Sequence, residues 1–446
     1  MKTIKNIFVI IILLIQLFSI TAYADTENTT EETEVITSNL NLNCEAAILI
    51  EEKTGRIVFE KNSKEKLYPA STTKILTAIL VLENCNLSDT VTVNKSALTQ
   101  IPDGYVVGNL RAGEEFTVEN LLYALMLKSA NDVAVVFAEH VSGSVEEFSN
   151  LMNQKAIEIG CTNTHFVNPN GIHSNDHYST AYDLALIAKY CMKNETFKQI
   201  VSTQEYTLPK TNLYAYEDRK FENTNNLIHS NSPYYYEYST GIKTGYTKEA
   251  GSCLISSAKK NDINYISVVL NSNSNKYGKN TRFTDSIEIF NYGFENFEFN
   301  EFKKKNEIIK KIEIENATKE TKELSLKLED ALISFNNVNF DFENLEPKIE
   351  LQENLEAPIV KDQILGTVTY EVDGIEYKTN LLAFSNVEKK PNYLIFIIGF
   401  GILILGILLL ALTTKKKKKA NKRARKRSTK YKYKNTLYKR CTIPLV

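Results

Sequence analysis

The chain has 446 residues, 43% of them apolar and 24% charged, a composition of folded protein with length for more than one domain. Its formal net charge of −1 hides a segregation, because residues 415–440 carry fifteen Lys or Arg and no acid. The stretch 25–414 is thereby left at −18, which argues against a nucleic-acid-binding body.

Lys2 and Lys5 precede the uncharged run Ile7–Ile20 and then Ala22-Tyr23-Ala24. A charged start, an apolar middle and a small-x-small site predict a secretory signal over 1–24, with the mature chain beginning at Asp25. Residues 25–43 are expected to form an acidic, flexible leader. Ala46–Glu51 and Arg56–Glu60 read as a hairpin around Lys53-Thr54-Gly55. Lys74–Leu82, just after Pro69-Ala70-Ser71, reads as a buried helix, and Thr117–Val141 is helical with an interruption at Ser129-Ala130-Asn131. Thr180–Asp183 opens a helix ending near Met192. From Thr240 the pattern turns to strands, Cys253–Ala258 and Ile263–Leu270, with a closing helix over Ser286–Phe294. Strands at both ends and helices between them predict a sheet covered by helices over 44–296, with distant segments brought together.

Beyond residue 297 the period is two: Ile312–Ile314, Leu324–Leu328, Phe340–Phe342 and Ile349–Leu351. Asp373-Gly374 between Thr367–Val372 and Ile375–Leu381 is a strong hairpin signal. Residues 297–390 are expected to be a small all-β domain without a catalytic cluster. Leu394–Leu412 is an uncharged apolar run of 19 residues, long enough to cross a hydrocarbon core of about 30 Å. The basic segment 413–446 follows at once, so the positive-inside rule places it in the cytoplasm and residues 25–390 outside. That cluster suits anionic lipid, and equally it is only a stop-transfer signal. Cys44, Cys85, Cys161, Cys191, Cys253 and Cys441 are scattered without metal spacing, and buried thiols are expected rather than a disulfide scaffold.

Three triplets carry chemistry: Ser-x-x-Lys at Ser71–Lys74, Ser-x-Asn at Ser129–Asn131, and Lys-Thr-Gly at Lys243-Thr244-Gly245. Each recurs elsewhere, at Ser63–Lys66 and Ser256–Lys259, at Ser334–Asn336, and at Lys53–Gly55, so context must choose. Ser71 and Lys74 lie three apart at a helix start, within reach of each other and of free backbone N–H groups. Ile75, Leu76, Ala78 and Ile79 surround Lys74 with apolar surface, and desolvation lets a lysine act as a base. Taken alone, Ser71 reads equally as a helix cap. Ser129 could relay a proton and Asn131 could hold a substrate amide or the lysine; by themselves both fit a helix break. Gly245 admits an extended substrate to the backbone, while Lys243 and Thr244 suit a carboxylate. Order and setting together make a serine acyl-transfer site.

The chain at these residues resembles the low-molecular-mass penicillin-binding proteins, the serine-type D-alanyl-D-alanine carboxypeptidases. The likeness extends from about Cys44 to Phe294 and includes Tyr68-Pro-Ala-Ser-Thr-Thr-Lys-Ile-Leu-Thr77, Leu125–Ala134, Asn168-Pro-Asn-Gly-Ile172 and Thr240–Leu254. It implies an α/β (α+β) fold like that of class A β-lactamases, a five-stranded antiparallel sheet between helices, followed by the β-rich domain and one C-terminal transmembrane helix. It implies that Ser71 attacks the bond between two terminal D-alanines of a peptidoglycan stem pentapeptide, with Lys74 as base and Ser129 and Asn131 assisting. Lys243, Thr244 and Gly245 would bind the terminal carboxylate, with Arg282 a further candidate beside an ordinary surface role. The backbone N–H groups of Ser71 and Tyr246 would form the oxyanion hole. β-Lactam antibiotics would acylate Ser71, and no metal or cofactor is implied. Two readings compete: a β-lactamase of the same fold and, from a different class, a non-catalytic penicillin sensor or wall-binding module. A class A β-lactamase uses an added glutamate, and 131–243 offers no obvious Glu-x-x-x-Asn loop; a penicillin sensor needs more than a short basic tail beyond the membrane.

Overall fold

The computed structural model describes residues 40–273 and 280–438. The signal segment, most of the leader and Cys441 lie outside the described residues. Five strands, β1 (Cys44–Glu51), β2 (Ile57–Lys61), β3 (Ser239–Thr247), β4 (Gly251–Lys260) and β5 (Ile263–Ser272), form one sheet in the order β2-β1-β5-β4-β3. Every pairing is antiparallel, and Cys44 opposite Ser272 joins the first strand to the last. The β1–β2 turn is the Lys53-Thr54-Gly55 copy. Glu51 accepts there from the N–H groups of Lys53 and Thr54 at 3.0 and 2.6 Å, and Gly55 takes φ +80°.

Alternation along the strands gives the sheet two apolar faces. Ala46, Ile48 and Ile50 of β1 pack into the larger core, whereas Ala47 and Leu49 pack with Phe283, Ile289 and Phe290 of the closing helix. The larger core holds helices α1 (Lys74–Asn84), α2 (Val118–Met126), α3 (Asn131–Ser142), α4 (Val145–Ile159), α5 (Ala181–Cys191) and α6 (Glu195–Ser202). Hydroxyl caps start three of the six predicted or added helices: Thr117 for α2, Ser144 for α4 and Thr180 for α5 each accept an N–H three residues on. The closing helix, α7 (Thr281–Asn296), begins five residues before the predicted Ser286. Its first turn holds Thr281, whose hydroxyl is bonded to Asn273 O and Ser272 rather than presenting an apolar face.

Packing divides the described chain into two units. The first runs to Phe302 and includes 333–345 and 372–375; the second holds the remainder. The first unit contains Phe335, which stacks on Phe297 at 6.0 Å. In the C-terminal half a five-stranded sheet has the order Ile308–Glu313, Glu323–Leu328, Ile375–Ala383, Ile364–Val372, Lys348–Leu351. Asp373 and Gly374 both take positive φ, 49° and 70°, as the predicted hairpin requires. Phe340–Phe342, expected as a strand, is not one. Asn337 and Asp341 accept from the N–H groups of Asn339 and Glu343, and these local turns replace ladder bonds. Helix α8 (Tyr393–Tyr438) contains the apolar run, with mean hydropathy 3.1, long and apolar enough to cross a membrane.

Candidate active site

The chain enters the site through Pro69 and a 3-10 turn, Ala70–Thr73, that runs directly into α1. A 3-10 turn brings residues i and i+3 into line, closer than α-helical spacing does. Lys74 Nζ accordingly donates to Ser71 Oγ at 2.8 Å. The turn is reached through Ala70 at φ 49°, a left-handed conformation costly for a residue with a Cβ. The segment Asn168–Ile172 holds it there. Asn170 O accepts from Lys74 Nζ at 2.5 Å and lies 3.5 Å from Ser71 Oγ, while Thr77 Oγ1 donates to Pro169 O at 2.6 Å.

Lys74 is fully buried, and its third bond goes to Asn131 Oδ1 at 2.9 Å. Burial lowers its pKa well below the ordinary lysine value, and the charge of Lys243 adds to this; Asp132 opposes both. Asp132 is itself pushed up by burial while accepting from Gly108 N at 2.8 Å. Asn131 Nδ2 donates to Val106 O at 2.9 Å, so Asn131 and Asp132 together pin the loop carrying Tyr105 and Val106 over the cleft. Ser129, at φ 64° in the break between α2 and α3, lines the cleft with Lys128. The bonds of Lys74 go to Ser71, Asn131 and Asn170 rather than to Ser129.

The opposite wall is β3, an edge strand of the sheet, with backbone groups left free to meet an added chain. A Cβ on Gly245 would lie 3.1 Å from Ser71 N and 3.0 Å from Pro69 O, so only glycine lets the strand press this closely on the nucleophile turn. Lys243 is buried, donates to Thr244 O at 3.1 Å, and is lowered to about 7 by burial and then by the charge of Arg282. Thr244 shares a 2.5 Å hydroxyl contact with Thr224. Arg282, in the first turn of α7, donates from Nη1 to Gly245 O at 2.9 Å, and burial lowers its pKa. Its Nε is buried and has no partner among the described residues. A cleft of about 540 Å3 opens between the walls, lined by Ser71, Ser129, Asn131, Thr244, Gly245, Tyr246 and Arg282 among others.

Seven of the nine predicted site residues thus line one cleft, and the other two, Lys74 and Lys243, lie buried in its walls. The rival copies are elsewhere in the fold. Ser63 bonds Glu60, Ser256 lies in β4 bonded to Gly241 O at 2.8 Å, and Ser334 lies in the strand Leu332–Asn337. The Glu-x-x-x-Asn spacing does occur, at Glu146–Asn150 in α4 and at Glu222–Asn226, but none of these four residues lines the cleft. Sequence reasoning missed Asn170, Asp132 and Thr224 as contributors. Asn170 acts through its backbone carbonyl, which no side-chain type announces; the readable sign was Gly171, at φ +80°.

Gly171 permits a direct test. A Cβ there would sit 1.9 Å from Ala70 O and 3.0 Å from Ser71 N. Gly171→Ala is expected to lower stability by about 1–3 kcal/mol and to slow covalent labelling by penicillin at least about tenfold. Urea unfolding and the rate of fluorescent-penicillin labelling measure the two effects, and wild-type values for both would refute the packing argument.

A buried lysine bonded to a serine, on an antiparallel sheet flanked by helices, is the arrangement of serine peptidases that use lysine in place of histidine. Residues 31–274 match the D-alanyl-D-alanine carboxypeptidase family, and 297–389 match the C-terminal domain of penicillin-binding protein 5. D-alanyl-D-alanine carboxypeptidase DacF of Bacillus subtilis is 34% identical over 368 residues, covering 81% of this chain and 90% of that protein. DacC of Escherichia coli is 32% identical, covering 84% and 89%. The crystal structure of penicillin-binding protein 5 from Haemophilus influenzae, 27% identical, matches with a TM-score of 0.59 over 79% of this chain and all of that one. The chain belongs to the D-alanyl-D-alanine carboxypeptidase family.

Proposed function

We propose that this protein removes the terminal D-alanine from peptidoglycan stem peptides through an acyl-enzyme on Ser71. The observation that carries the reading is the fully buried Lys74, bonded to Ser71 Oγ at 2.8 Å and held on its other side by Asn131. A desolvated lysine is readily neutral, and a neutral amine takes the hydroxyl proton as Ser71 Oγ bonds to the carbonyl carbon. The oxyanion that forms meets the N–H groups of Ser71 and Tyr246, donors of a type worth about 2.7–4 kcal/mol each. The C–N bond then breaks, and the leaving D-alanine amine takes the proton back from Lys74, with Ser129 and Asn131 assisting. Water repeats the sequence on the ester and frees the enzyme. Lys243, Thr244, Gly245 and Arg282 bind the terminal carboxylate. Arg282 lines the cleft, and Lys243 makes a single hydrogen bond among the described residues, so its ammonium keeps donors for the carboxylate.

Penicillins present a carboxylate and a strained amide in the same relation and acylate Ser71. Helix α8 anchors the protein in a bacterial membrane by its apolar half. The cationic residues that follow favour the cytoplasmic side, with the catalytic unit outside, where the stem peptides are. The protein purified in detergent is expected to release D-alanine from a pentapeptide and to turn over a chromogenic cephalosporin only slowly. Rapid cephalosporin hydrolysis without D-alanine release would replace the reading with a β-lactamase.

A further inference from the structure

A second pocket, of about 250 Å3, is lined by Lys66, Leu67, Tyr68, Asn175, Tyr178, Glu249, Ala250 and Asn271. Glu249 lines both this pocket and the catalytic cleft, so the two adjoin at that residue. Resting on the function proposed above, the order of subsites along β3 fixes which part of a substrate arrives there. The terminal carboxylate lies at Lys243 and Thr244, and the carbonyl under attack lies one step on, at Tyr246. An extended substrate therefore runs antiparallel to β3, as a strand added to a sheet edge does. At about 3.3 Å per residue, the residue before the two alanines comes level with Lys248 and Glu249.

The chemistry of the pocket suits a particular end group. Glu249 and Lys66 are both exposed, and neither has an ion-pair partner among the described residues. Lys66 Nζ instead lies over the Tyr178 ring at 4.6 Å, which holds the ammonium at the pocket wall. Asn175 and Asn271 add amide groups, and Leu67, Tyr68 and Ala250 supply apolar surface for a methylene stem. An unpaired carboxylate and an unpaired ammonium on one pocket call for a ligand with both opposite charges. The part of the proposed substrate that comes level with the pocket is the residue preceding the two terminal alanines. We propose that this pocket receives the side chain of that residue and selects one ending in an amino-acid head, with its ammonium on Glu249 and its carboxylate on Lys66. Lys66, which belongs to a rejected Ser-x-x-Lys triplet, would thus be a specificity residue of the same enzyme.

The test uses the full-length protein in detergent and three pentapeptides that differ only in the third residue. One carries meso-diaminopimelate (amine and carboxylate), one lysine (amine alone) and one Nε-acetyl-lysine (neither charge). For wild type, kcat/KM for D-alanine release is expected to fall in that order, by about three- to tenfold overall at low salt. The readout in each variant is the ratio between peptides, so a general loss of activity cancels. Glu249→Gln should remove the preference for lysine over acetyl-lysine. Lys66→Gln should remove the preference for diaminopimelate over lysine and keep the other. The rate of penicillin labelling reports whether each variant retains its catalytic site. Equal kcat/KM for the three peptides in wild type, or variants that lower all three equally with ratios intact, would overturn the proposal. If wild type released D-alanine from none of the three while still labelling with penicillin, the reaction proposed above would fall, and the pocket assignment with it.

Discussion

Ser71→Ala is expected to abolish D-alanine release and covalent penicillin labelling together, a loss on the order of 10^6-fold when a catalytic serine is removed from a serine peptidase. The fold should survive, because the hydroxyl is one of three partners of Lys74, and the bonds to Asn131 Oδ1 at 2.9 Å and to Asn170 O remain. The variant should still bind a stem pentapeptide, since the carboxylate site on β3 is untouched. Measurement is direct: gel fluorescence after labelling, D-alanine release, and a thermal melt to show that the protein is folded. Retained labelling in a folded variant would move the nucleophile elsewhere.

The second large effect concerns the lysine pair. Lys74→Met keeps an unbranched chain of similar length in the buried site but removes the base, and acylation should slow by about 10^2–10^4-fold. The pH profile of kcat/KM separates the two lysines, since it reports the free enzyme. Lys74 must be neutral to accept a proton, so activity is gained as pH rises through its lowered pKa. Lys243 must be charged to hold a carboxylate, so activity is lost as pH rises through about 7. The expected profile is a bell whose alkaline limb moves to higher pH in Lys243→Arg, because guanidinium does not titrate there. An alkaline limb that stays in place in an active Lys243→Arg variant would remove Lys243 from that role.

The membrane run, the second β domain and the three triplets were legible because each rests on a local pattern: hydropathy, period two, or spacing. Choosing Ser71 over Ser63 needed only the apolar residues after Lys74 and the polar Asn62, Lys64 and Glu65 around Ser63. Less legible were features that depend on backbone meeting backbone. Asn170 contributes a carbonyl, and Gly245 contributes the absence of a Cβ beside Ser71 N. Ala70 takes a left-handed conformation that its own sequence preference disfavours, imposed by the packing of Gly171 against it. Helix α4 was not anticipated: only Phe148, Ser149, Met152 and Ala156 of its fifteen residues are buried, a thin apolar stripe. Phe340–Phe342 misled in the opposite direction, because alternation alone does not distinguish a strand from two aromatic residues whose tilted rings meet across a turn.

The pairing of β1 with β5 has a consequence for how the enzyme comes into being. Cys44 pairs with Ser272, and the cleft also needs Arg282, so the first strand must wait for more than two hundred residues to be made before its neighbour exists. A chain emerging from its N-terminus carries Ser71 and Lys74 early, beside an unpaired strand edge and an unfilled core. Until β3 closes over the turn, Gly245 is absent and no carboxylate pocket has formed. The nucleophile is thus born long before the enzyme, and a half-synthesised chain holds the serine without the means to use it.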